Sequence, residues 1–131
     1  MKRATLLLSI FLLAACSQGR APNVPSAADL SNAGQVVVVR NDNLFDWWLS
    51  VRVSLNDTVV AHLRAGEHVM LQVPPGLHTV GVSDRGISVA VEPNRIYYFL
   101  IGTEETQAGF GIERLDQMRG IEWVSRTKPI L

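Results

Sequence analysis

The sequence predicts an all-β fold: an antiparallel β-sandwich of about seven strands, with a short C-terminal helix or an extra strand. Three observations carry that expectation. Short runs rich in Val, Ile and Tyr recur from Gln35 onward, each closed by Gly, Pro, Asn or Asp. Several of them alternate apolar and polar residues with period two, the mark of a half-buried strand. No long helical period interrupts them before Ile101, which excludes an alternating βαβ arrangement.

The elements follow in order. Val36-Val37-Val38-Val39 is β-branched throughout and places apolar residues on both faces, so it is expected either to be buried on both sides or to be a strand paired inside the sandwich. Trp47 to Leu55 alternates, with Trp47, Leu49, Val51, Val53 and Leu55 on one face and Trp48, Ser50, Arg52 and Ser54 on the other. Asn56-Asp57 tolerates left-handed backbone and returns the chain as Thr58 to Leu63, a hairpin. Arg64 to Glu67 is read as a further hairpin turn into His68 to Val73. Pro74-Pro75-Gly76 ends that strand, because proline donates nothing to a ladder and glycine accepts positive φ. Leu77 to Ser83, a turn at Asp84-Arg85-Gly86, and Ile87 to Glu92 follow. After Pro93-Asn94, Arg95 to Ile101 is apolar on both faces and is expected in the middle of a sheet. Phe110 to Glu113 is a candidate strand, and Leu115 to Arg119 a candidate short helix ended by Gly120. Ile121 to Val124 continues the helix or forms a last strand.

The chain has 131 residues and divides into three parts. Residues 1–15 open with Met1-Lys2-Arg3, run through an apolar stretch and end in Leu13-Ala14-Ala15, the pattern of a secretory signal peptide. The stretch is about a dozen residues, and a spanning helix needs about twenty. Residues 16–34, with Gly19, Pro22, Pro25, Ser26, Ser31, Asn32 and Gly34, are expected to form a flexible tether, with a short helix over Ser26 to Leu30 as the alternative. Residues 35–131 form the globular domain. Lys2 and Arg3 lie in the leader, so the remainder keeps 10 basic residues against 12 acidic ones. That balance argues against nucleic acid as a partner.

Leu13-Ala14-Ala15-Cys16 resembles the lipobox of bacterial lipoproteins. The resemblance implies cleavage before Cys16, acylation of its sulfur, and a bacterial envelope protein held at a membrane by lipid. Cys16 is the only cysteine, which rules out an intrachain disulfide. One acyl chain binds a membrane only marginally, and several make a stable anchor. Ser17, in place of Asp, points to the outer membrane facing the periplasm under the enteric sorting pattern.

A second resemblance rests on Ser54-Leu55-Asn56-Asp57-Thr58-Val59-Val60, on Leu71 to Val80 with its Pro74-Pro75-Gly76-Leu77-His78-Thr79 core, and on Val91 to Phe99 with its Tyr97-Tyr98 pair. These stretches resemble a family of small bacterial lipoproteins with a DUF2846-type, PEGA-related domain. The family turn before the two tyrosines often carries Gly, whereas here it is Pro93-Asn94. The resemblance implies a β-sandwich and brings no catalytic residues.

Candidate chemistry is sparse. His62, His68 and His78 lack metal-ligand spacing, and His78 is read as a residue bonding a backbone carbonyl in the turn after Gly76. No Ser lies in a Gly-x-Ser-x-Gly elbow. Glu104-Glu105 is read as a solvated loop, since neighbouring residues on extended chain diverge. No cofactor, no metal and no enzymatic activity are expected. The candidate partner-binding residues are Trp48, Tyr97 and Tyr98, with burial of Trp48 beneath a tail containing Trp123 as the alternative. The function expected is that of a structural or protein-interaction module with an envelope protein partner. The alternatives are a ligand- or glycan-binding module using an aromatic face around Trp48 and the tyrosines, and, least favoured, an envelope hydrolase.

Overall fold

The computed structural model describes residues 31–42, 48–103 and 110–130. The leader, Cys16, most of the tether, Trp47 and Glu104-Glu105 lie outside the described residues. Among the described residues nine strands and one helix follow in the order β1 (Gly34–Arg40), β2 (Val51–Leu55), β3 (Thr58–Leu63), β4 (Glu67–Val73), β5 (Gly76–Val82), β6 (Arg85–Val91), β7 (Ile96–Thr103), β8 (Phe110–Leu115), α1 (Gln117–Arg126) and β9 (Lys128–Pro129). They build two sheets, β8-β7-β1-β4-β9 and β3-β2-β5-β6. The fold is the expected all-β sandwich, with more strands than expected.

The sheets face each other over one core. Val36, Val38, Val69, Val73, Tyr97, Phe99 and Ile101 of the first sheet meet Val51, Val53, Leu63, Val80, Val82, Val89 and Val91 of the second. These are alternate positions along their strands, as the pleat requires. The opposite face of the first sheet is apolar too: Val37, Val39, Tyr98, Leu100 and Leu115 lie under Trp123 and Val124 of α1. The molecule therefore has three layers, sheet, sheet and helix. The four valines of β1 sit in the middle layer, which explains why none of them alternates with a polar residue.

Several expectations need correction. The sandwich is not wholly antiparallel: β1 pairs antiparallel with β4 but parallel with β7, and β9 pairs parallel with β4. Arg64 to Glu67 does not close a hairpin, because β3 and β4 belong to different sheets. The β5–β6 turn falls at Ser83-Asp84, with Ser83 left-handed at φ 53°, and Arg85-Gly86 already lie in β6. β2 starts at Val51, so Trp48 and Leu49 precede the strand rather than belonging to it. The tether gives way to strand one residue early, at Gly34. Gly120 does not end the helix but lies inside it.

The turn chemistry otherwise matches. Asn56 and Asp57 are both left-handed, at φ 51° and 66°, as a two-residue hairpin turn demands. Asn94, in the expected Pro93-Asn94 turn, takes a left-handed φ of 59°, which asparagine tolerates, and the turn is closed from Arg95 N–H to the Glu92 carbonyl.

Candidate functional site

Pairing defines two poles. Gly34 of β1 lies beside Val73, the end of β4, and Gly76, the start of β5, lies beside Val91, the end of β6. This is the proximal pole, where the N-terminal segment joins the domain. The opposite, distal pole holds the end of β1, the start of β2, the end of β3 and the start of β4.

Trp48 lies at the distal pole and is 60% exposed. Leu49 beside it is exposed as well. The backbone carrying this pair is held from below. Arg40, at the end of β1, is 2% exposed, and its Nη1 donates to the carbonyls of Leu49 and Leu63, the latter at 2.9 Å. Its guanidinium also lies 5.0 Å from the centre of the Phe110 ring. A buried cation is tolerated where carbonyl oxygens and a ring face replace its water. The result is an outward indole next to a backbone pinned to β3.

Tyr97 and Tyr98 do not join Trp48. Each is 8% exposed, and as neighbours in β7 they point into different layers. The Tyr97 hydroxyl accepts from Glu92 N–H at 2.9 Å, and Arg114 stacks 5.1 Å over its ring. Tyr98 lies under α1 at Gly120, where an added Cβ would collide with the ring. Both tyrosines are buried within the layers, so among the described residues they form no exposed aromatic face with Trp48. The alternative for Trp48, burial beneath the tail, is also not what the structure has: Trp123 packs against β1, β7 and β8 instead.

The histidines are held apart in separate roles. His62 is exposed on β3. His68 is 4% exposed on β4, with Nδ1 2.8 Å from Thr127 Oγ1. The Thr127 hydroxyl donates to the Trp123 carbonyl at 2.8 Å, which leaves Nδ1–H of His68 as the donor to Thr127. Burial lowers the His68 pKa below its ordinary value of 6.5. His78 bonds the Pro74 carbonyl through Nε2 at 2.8 Å, as expected, and accepts from Asn56 Nδ2 at 2.8 Å through Nδ1. Asn56 Oδ1 accepts from Thr79 N–H at 2.9 Å, so one side chain ties the β2–β3 turn to β5. Among the described residues no three His, Cys, Asp or Glu side chains gather as metal ligands.

The sequence reading missed Arg40. Nothing local in the sequence marks an arginine for burial.

The fold and the exposed pole together define a class, an all-β sandwich with a helix laid on one sheet. No family model matches the chain, and no curated protein matches it. The DUF2846-type resemblance therefore stands only for the β-sandwich it implied. Among solved structures the chain is similar to the N-terminal domain of AlgF from P. aeruginosa, at 15% identity and a TM-score of 0.43, over 65% of this chain and 95% of that one.

Proposed function

We propose that this protein is a non-enzymatic, lipid-anchored envelope module that presents its distal pole to a protein partner. The observation that carries the reading is the opposition of the two poles. The segment leading back to Cys16 joins at one pole, and Trp48 stands exposed at the other. Lipid on Cys16 fixes the membrane. Large aromatic side chains on a well-supported backbone are the usual anchors of protein interfaces.

Crosslinking and capture from intact cells test the reading, with the native chain compared against Trp48→Ala and Cys16→Ala. Trp48→Ala is expected to lose the captured partner while the thermal midpoint moves by no more than about 4 °C, because an exposed substitution stays within about 0.5 kcal/mol. Capture unchanged by Trp48→Ala removes the distal pole as the contact. An unmodified thiol at Cys16 by mass spectrometry removes the anchor.

A further inference from the structure

A cleft of about 450 Å³ opens at the distal pole between the β3–β4 connection and the C-terminal segment, lined by Arg64, Ala65, Gly66, Glu67, Arg126 and Lys128. Among the described residues, three cations and one carboxylate share it. We propose that this cleft binds a phosphoryl group, that of a phosphomonoester arriving from solution.

The cations stand on a fixed frame. Gly66 N–H donates to the Asn41 carbonyl at 3.1 Å, Lys128 N–H to the Gly66 carbonyl at 2.9 Å, and Ile130 N–H to the His68 carbonyl at 2.9 Å. Lys128 also pairs with Glu67 as β9 joins β4. Arg126 is steered by stacking 4.6 Å over the Trp123 ring. The one carboxylate in the lining is turned to the backbone: Glu67 Oε1 accepts from Arg64 N–H at 2.7 Å. Arg64 and Lys128 form no ion pair among the described residues. Arg126 reaches Glu122 only at 3.9 Å, an exposed pair that an anion in the cleft outcompetes. Asp42 approaches Gly66 but does not line the cleft.

Charge selects the ligand class. The lining sums to a positive excess of two on a chain that is otherwise slightly acidic beyond its leader. A phosphomonoester carries about −1.5 to −2 near neutral pH, and a single carboxylate only half of that. Guanidinium forks also match phosphate oxygens two at a time. The source follows from position. The cleft is at the pole opposite the tether, so the headgroups of the anchoring membrane are the less accessible phosphates. That choice of source, and nothing else here, rests on the proposed anchoring.

Amide NMR of the full chain tests the site, with inorganic phosphate as probe at constant ionic strength. Acetate and vesicles containing phosphatidic acid form the other arms. Saturable shifts are expected at Arg64, Gly66, Glu67 and Lys128 with phosphate. They are expected to be at least about tenfold weaker with acetate and in the double variant Arg64→Gln, Lys128→Gln. The remaining amides of that variant should superpose on the native spectrum, which certifies its fold. Linear shifts without saturation, or equal shifts in the double variant, overturn the site. Equal affinity for acetate overturns the phosphoryl class, and tighter binding to the vesicles than to soluble phosphate overturns the source. None of these readouts depends on lipid at Cys16, so an unmodified thiol there leaves the cleft result standing.

Discussion

Gly120 is the residue at which helix propensity and packing pull in opposite directions. Glycine costs a helix interior about 1 kcal/mol relative to alanine, and the sequence around it reads as a helix end. The structure keeps Asp116 as N-cap, its Oδ1 accepting from Arg119 N–H at 2.9 Å, and continues the helix to Arg126. The reason is the Tyr98 ring, which occupies the space a Cβ would need. Gly120→Ala is therefore expected to destabilise the protein by about 2 kcal/mol, measured by urea unfolding, where propensity alone gives a gain of about 1 kcal/mol. The sign of the change decides between them. His68 offers a second test at this scale. Its pKa is lowered by burial, so the folded chain takes up its proton less readily than the unfolded one. Its contribution is constant above about pH 6.5 and is lost as the pH falls from there toward its folded-state pKa. Between about pH 7.5 and about pH 5 the native protein is expected to lose more stability than His68→Asn, with denaturant midpoints as the readout.

Among the elements, β1 depends most on a single side chain. Arg40 ends it, and the guanidinium joins that end to the Leu63 carbonyl of β3 and to Leu49 just before β2. The arginine thus links the two sheets at the pole that displays Trp48. Arg40→Met removes the charge and its donors and leaves buried carbonyls short of a partner, a loss of about 2–4 kcal/mol expected by urea unfolding. The strands themselves were legible, because period two and turn residues are local signals. Leu71 to Val73, Val80 to Val82 and Val89 to Val91 needed no tertiary information to be read as strand. The β3–β4 connection was misread for the complementary reason. Arg64 to Glu67 carries turn chemistry, and turn chemistry says that the chain bends without saying which sheet receives it. Trp47 to Leu49 continued the alternation of β2 on paper. The ladder nevertheless begins at Val51, opposite Leu63, where the partner strand ends.

For the whole molecule, the sandwich class followed from composition and spacing, whereas the parallel pairing of β1 with β7 did not. Pairing partners are chosen by long-range burial, which a single sequence records only as apolar residues on both faces. The run Val36 to Val39 was read that way, and its two coverings turned out to be the second sheet and α1. Of the three candidate partner-binding residues, Trp48 is exposed, whereas Tyr97 and Tyr98 are buried in the layers. An exposed and a buried aromatic carry the same letter, so only the register could separate them.

The register of β1 has a kinetic consequence. It joins Gln35 to Ile96 across about sixty residues of chain, and its outer valines wait for Trp123 and Val124. Among the described strands, the first in the chain is thus enclosed by elements that come last. Until α1 packs, the outer valines of β1 lie open to misassociation, so the sheet is protected only once the segment carrying Trp123 has docked.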